Sequence, residues 1–456
     1  MLGYNCIFVV SHIVTVDIRI QIPVHCDKMK FLENDYNNNT SVVKHTCGFL
    51  FALFSFCYLF FIQGEMIAKA QFVFSNAATK YSLLWGAVII TIILRLLQIP
   101  VARFSNIPLK FHALSYTPSF LILAVICDIS ANVKDGLSLG WWWIGIPLIL
   151  VLMFFLVKLL INFYNYESNI NEKAKRASLF ITNFFILLMA MLWCSTCNSS
   201  TDVDIYEQKT ERLIEIGELE EALTVGNKSL KSNRRLTNLR MYALSRLGLL
   251  PERLFDYPQY YGINGLVCLS DTDTVSYRID TRDICKYLGV GNNTKIISTE
   301  QFLMEVLNNQ QIIVDSLMGL ELSRSNNPDS LKNAVGQRLA VLKEEKRRVD
   351  DYMLCGLLLE RDLERFKLYV NKAYGLNVNS DSIVPVTNLP KAYREALVMV
   401  YPNIGDTVML EKYSEYLDLK KELKDSVVVS NQTRKHFGNT FWWYYDNPRV
   451  SIRQLK

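Results

Sequence analysis

Residues 141–161 read WWWIGIPLILVLMFFLVKLLI, twenty-one positions with a single charge, Lys158. A run this long and apolar suffices for a helix to cross the hydrocarbon core of a bilayer. Inside lipid every peptide group needs an internal partner, so the run is read as helix and not strand. Working outward, similar runs occupy residues 47–62, 83–99, 114–129 and 177–193, and almost none follow residue 195. The first and third are short, so four spans is the alternative count. The expected fold is therefore all-α: a polytopic helical membrane domain over 46–194, a linker over 195–204, and a soluble helical module over 205–456. Residues 1–45 form an N-terminal segment.

Indole rings favour the membrane interface, so Trp141, Trp142 and Trp143 are expected to open the fourth span and Trp193 to close the fifth. Stacking of the triplet on a ligand is the lesser alternative. With five spans, Lys28, Lys30, Lys44, Arg103, Lys110, Lys173, Lys175 and Arg176 gather on one side, against Lys69, Lys80 and Lys134 on the other. The positive-inside rule then puts the N-terminus in the cytoplasm and the module outside it, periplasmic in a Gram-negative host. Four spans would reverse the module's side. Residues 1–28 alternate like a strand over 6–22 and read as a start placed too early, with a peripheral extension as the alternative. They lack the basic start and small-residue cleavage site of a signal peptide.

A formal charge of +5 over 456 residues is mild and argues against nucleic acid as a main partner. The densest basic run, 343–348, alternates with Glu344 and Glu345 and reads as a solvated helix face. Of ten cysteines, only Cys268, Cys285 and Cys355 lie well inside the soluble part, too few for a disulfide framework. Cys194 and Cys197 form a Cys-x-x-Cys without the βαβ context of a redox pair.

Past the linker, apolar residues recur at helical spacing. Leu213, Ile216, Leu219, Ala222 and Leu223 share a face interrupted by Gly217. Leu244, Gly248, Leu250 and Leu254 repeat the spacing thirty-one residues later, close to a tetratricopeptide (TPR-like) period. Stripes at Leu331, Ala334, Val335, Leu339 and Leu342, and at Leu363, Phe366, Val370 and Tyr374, add helices. Pro390 is expected in a first turn ahead of Ala392, Ala396 and Val400, with Pro402 ending that run. Residues 257–277 read as a long connection.

Four segments carry a resemblance: 248–255 (GLLPERLF), 356–366 (GLLLERDLERF), 389–397 (LPKAYREAL) and 437–445 (FGNTFWWYY). They resemble an uncharacterised family of multi-span bacterial membrane proteins, a domain of unknown function found in Bacteroidetes. The resemblance implies several spans followed by a tetratricopeptide-like helical region with an aromatic motif near the end. It carries no assigned chemistry and therefore no functional residue.

No catalytic, cofactor or metal residue emerges from the motifs. Beyond Met29 the only histidines are His45, His112 and His436, which leaves the module one, read as a surface or packing residue. Residues 289–293 have two glycines but no lysine, so no phosphate loop is met. Asp271 and Asp273 could pair as acid and base or bind a cation, and equally serve as turn residues. Arg95, Asp128 and Lys158 are placed near span ends, where their charges can reach water. The candidate partner-binding residues are Phe441, Trp442, Trp443, Tyr444 and Tyr445, with packing onto the helical stack as the favoured alternative role. The expected function is a membrane-tethered scaffold in the inner membrane that binds a protein or peptide. The rivals are a membrane enzyme acting on lipid-linked or envelope substrates and a small-molecule transporter.

Overall fold

A computed structural model describes residues 31–76, 78–105, 107–131, 140–166, 172–197, 200–266, 279, 284, 287, 299–326, 329–376, 386–401, 405–422 and 426–447. Residues 1–28, the pair Asp271 and Asp273, the glycine segment 289–293, Cys268, Cys285, Pro402 and most of the 257–277 connection lie outside these. Among the described residues the chain is helical throughout, with no strand.

The membrane half runs through α1 (Phe31–Cys57) with a π-helical turn at Tyr58–Ile62, α2 (Gly64–Phe74), α3 (Leu83–Phe104), a 3-10 turn at Leu109–Tyr116, α4 (Thr117–Ala131), α5 (Trp142–Tyr166) and α6 (Glu172–Thr196). Among the described residues five stretches are long and apolar enough to cross a membrane: Ser41–Ile62, Leu83–Phe104, Leu109–Ser130, Trp142–Leu159 and Ser178–Thr196. The two runs that look short in the sequence reach full length because α1 begins upstream and the 3-10 turn precedes α4. Trp85, Ile89, Ile92, Ile93, Ile144, Val151, Leu152 and Phe155 are all exposed. So large an apolar surface would be costly in water and is at home in acyl chains.

The chain divides into two compact units, one of Met1–Phe54, Ile93–Ser119 and Ile149–Leu192, the other of Ser55–Ile92, Phe120–Leu148 and Trp193–Lys456. The division does not fall at the polar linker, because α2 packs on the helical half.

In the first unit Arg95 departs from its expected place near a span end. The helix continues across Pro100 to Phe104, which puts Arg95 nine residues, about 14 Å, inside that end. Its Nη1 donates to Gln98 Oε1, Gln98 Nε2 donates to Ser115 Oγ at 2.7 Å, and the guanidinium lies 5.4 Å from the Tyr116 ring centroid. Buried Asn183 accepts from the Ala113 amide at 2.7 Å and donates to Leu109 O at 3.0 Å, which satisfies the backbone of the 3-10 turn.

In the second unit the tryptophan triplet splits. Trp141 and Trp143 are exposed, but Trp142 is buried and its Nε1 donates to Asp128 at 2.7 Å. Asp128 thus holds an indole as well as lying near a span end. Cys194 is buried and Cys197 half-buried, both free thiols.

The helical half begins with α7 (Asp202–Ile216), opened by a capping box between Thr201 and Asp204. It docks on α2, where Arg212 grips Glu65 through Nε at 3.0 and 3.1 Å and Nη2 at 2.8 Å. Then follow α8 (Leu219–Thr224), α9 (Arg234–Arg246) and α10 (Leu250–Arg253). Gly217 and Gly248 end α7 and α9 with φ of 89° and 68°. Each turn closes alike, Glu218 N to Leu213 O at 2.9 Å and Leu249 N to Leu244 O at 2.9 Å. This left-handed helix end favours glycine, which explains the two matching glycines in the sequence. The apolar face differs from its expected membership: Leu213, Ile214, Ala222 and Leu223 are buried, whereas Ile216 is exposed.

The rest comprises α11 (Thr299–Asn326), α12 (Asp329–Leu359), α13 (Leu363–Tyr374), α14 (Lys391–Val400), α15 (Thr407–Glu422), α16 (Ser426–Phe437) and α17 (Phe441–Asp446). Phe366 and Val370 of α13, Ala392 and Ala396 of α14, and Met409 and Tyr416 of α15 enter one core with the residues of α7 to α10. Pro390 sits one place outside its expected first turn, as the cap residue itself.

Candidate functional site

The four segments quoted for the family resemblance meet in space. Pro390 has no side-chain acceptor to offer the open N-terminus of α14, and Glu252 of the 248–255 segment fills that role, accepting from Lys391 N at 2.8 Å. Glu395 of α14 accepts from Phe441 N at 2.7 Å, and its carbonyl accepts from Trp442 Nε1 at 2.7 Å. Tyr444 donates its hydroxyl to Leu359 O at 2.7 Å, and Arg361 donates Nη2 to Tyr444 O at 3.1 Å. Phe255 packs on Phe441 and Tyr444 with centroids 5.6 and 5.3 Å apart. Every segment therefore supplies a partner that another one needs.

Arg361 occupies a left-handed conformation, φ 62°, which disfavours a residue with a Cβ. Its guanidinium stands 4.3 Å from the Tyr444 centroid. Asp362 then caps α13, accepting from Arg365 N at 3.0 Å.

Over this junction lies a cleft of about 370 Å³, lined by Tyr257, Tyr260, Trp443, Tyr444, Arg361, Arg434, Asp256, Leu230 and His436 among others. Its walls are aromatic and its charge mostly basic. Arg434 stacks 4.9 Å from the Trp443 centroid and donates to Tyr260 Oη at 3.2 Å. Behind Tyr257, buried Arg240 lies 4.9 Å from the ring and donates to Val225 O at 2.9 Å. Desolvation pulls Arg240 down to about 10, opposed by Tyr257 and Tyr206.

The candidate partner-binding residues divide between core and cleft. Phe441 and Trp442 are buried at 0% and 1% exposure, Trp443 and Tyr444 at 7% each, and Tyr445 is half-buried. Trp443 and Tyr444 show an edge to the cleft, while Trp442 is enclosed by Tyr413, Tyr416 and Phe437. His436 is exposed at the rim. Sequence reasoning missed Arg361, Arg434, Tyr257 and Tyr260. The distinctive GLLLERDLERF segment was the available pointer to Arg361.

A second polar group is largely buried. Asp351 accepts from Tyr374 Oη at 2.6 Å and Tyr393 Oη at 2.9 Å, with Cys355 Sγ 3.9 Å from Tyr393 Oη. Burial raises the Asp351 carboxyl and raises the Cys355 thiol well above its ordinary value. A thiol held neutral in this way is a poor nucleophile, so the group serves to tie α12, α13 and α14 together. Among the described residues no set of three His, Cys, Asp or Glu side chains could hold a metal ion.

Residues 298–447 match the model of a family described as a family of unknown function (DUF6057). The match contains three of the four converging segments and the helices α11 to α17. No curated protein and no solved structure matches the chain.

Proposed function

We propose that the protein is a membrane-anchored binding module whose helical half takes a protein or peptide segment into the aromatic cleft. The observation that carries this reading is that three of the four distinctive segments, through Phe255, Arg361, Trp443 and Tyr444, line one cleft of about 370 Å³, with the fourth packed against them. Rings at Tyr257, Tyr260, Trp443 and Tyr444 offer contact area at low entropic cost, and Arg361 and Arg434 suit a carboxylate on the captured segment. The matched turns at Gly217 and Gly248 support a tetratricopeptide-like start to the helical half. Clustered lysine and arginine at the N-terminal side of the spans support a cytoplasmic N-terminus, with the helical half on the opposite side of an inner membrane.

Leu230 is 54% exposed at the cleft rim, so Leu230→Trp fills the cleft without entering the core. In-cell cross-linking of tagged full-length protein, detergent capture and mass spectrometry should yield a stoichiometric partner. At least a tenfold loss of it is expected in Leu230→Trp and in Arg434→Gln, with helicity unchanged. No partner above background, or one retained by both folded variants, would overturn the proposal.

A further inference from the structure

Three thiols of the second unit gather where α6 ends. Cys194 and Cys197 stand three residues apart there, and Cys197 N still bonds Trp193 O at 3.2 Å, so the helical turn runs through both. Helix geometry then places their Cα atoms about 5 Å apart, inside the window of about 4.4–6.8 Å that a disulfide spans. Cys127 of α4 hydrogen-bonds Tyr58 and interacts with Cys194. Tyr58 in turn donates its hydroxyl to Cys194 O at 3.5 Å.

Exposure orders the three. Cys197 is half-buried and within reach of a reagent, whereas Cys194 and Cys127 are buried at 0% exposure each. An outer thiol that a disulfide can reach, with an inner thiol one turn below it, is the arrangement that thiol–disulfide exchange needs. Cys355 lacks it, because its neighbour is the Tyr393 hydroxyl and not a thiol. Burial and the Asp128 carboxylate raise the Cys197 thiol. Attack is thereby slowed, but the reduced pair also gains nothing from a stabilised thiolate, which leaves the disulfide as the favoured state. A pair at a helix start, its thiolate stabilised by the dipole, would be biased the other way.

We propose that Cys194 and Cys197 form a redox-active dithiol that reduces a low-molecular-weight disulfide. Partial burial of Cys197 favours a small disulfide over one set in a protein surface. The Cys197 thiolate attacks one sulfur of that disulfide, forming a mixed disulfide and expelling the first thiolate. Cys194 then attacks Cys197 Sγ and expels the second. The two cysteines lose two electrons to the incoming disulfide, which leaves as two thiols carrying the protons that the cysteines gave up. The product ties the last turn of α6 to itself and requires no other element to move.

Oxidised glutathione added to the full-length protein in detergent, followed by acid quench, alkylation of the remaining thiols and peptide mass spectrometry, tests the pair. The Cys194–Cys197 cross-link is expected to exceed every other cysteine pairing, Cys127–Cys194 included, by about tenfold or more. Two glutathione thiols should be released per cross-link. Cys194→Ser should stall at the glutathione adduct on Cys197, and Cys197→Ser should leave Cys194 reduced, because the inner thiol is out of reach. An unreacted Cys197, a glutathione adduct that persists on it in the unmodified protein, or a Cys127–Cys194 cross-link in place of the expected one overturns the proposal. So does a Cys194 that reacts as readily in Cys197→Ser as in the unmodified protein. That substitution is at a half-exposed position and keeps the test decisive should Cys194→Ser not fold.

Discussion

Replacing Trp442 with alanine should destabilise the helical half by about 3–5 kcal/mol, the usual cost of emptying a large aromatic site in a close-packed core. The ring is 1% exposed, and its Nε1–H donates to Glu395 O. Truncation therefore leaves a cavity and removes a buried hydrogen bond. Urea unfolding of the full-length protein in detergent, followed by tryptophan-independent circular dichroism, measures the loss. Trp443→Ala should cost distinctly less, because that ring borders the cleft and has open space on one side. Equal costs would mean that the two indoles do not divide between core and cleft as described.

Stability should fall as pH rises from about 4.5 to about 7, and replacing Glu395 with glutamine should flatten that slope. Desolvation raises the Glu395 carboxyl from 4.5 to about 7, opposed by Lys391 and the Phe441 amide. A carboxyl whose pKa is higher in the folded chain binds more protons there than in the unfolded chain over this window. Its contribution is fully present below about 4.5, declines through the window, and is gone above about 7. The size is about 3 kcal/mol from 1.36 kcal/mol per unit. Asp351 is raised by burial as well and acts in the same sense. Urea midpoints at pH 5 and pH 8 for the unmodified protein and Glu395→Gln decide the matter. A slope unchanged by the substitution would assign the pH dependence to other groups.

Helical periodicity was legible from the chain, because helix faces repeat locally. Leu363, Phe366, Val370 and Tyr374 fall on α13 as their spacing implies, and Gly217 and Gly248 end helices where left-handed geometry favours glycine. What local spacing could not carry was partnership across long separations. Glu252 caps a helix 139 residues away, and Arg361 meets Tyr444 across 83 residues, so the cleft had no sequence signature beyond the unusual segments themselves. Arg95 was misplaced for a related reason. A proline normally marks a helix end, but within a hydrophobic helix Pro100 is carried through, and the arginine becomes interior.

The clasp between Glu65 and Arg212 changes what kind of device an anchored cleft can be. A module on a loose string sweeps a volume set by its tether and gathers partners through raised local concentration. Here the first helix after the linker is bolted to the short helix that follows the first span, through a bidentate ion pair in which Glu65 is only 8% exposed. Within the second unit α7 is thus clamped to α2 and not strung from it, closer to a fixed bracket than to a fishing line.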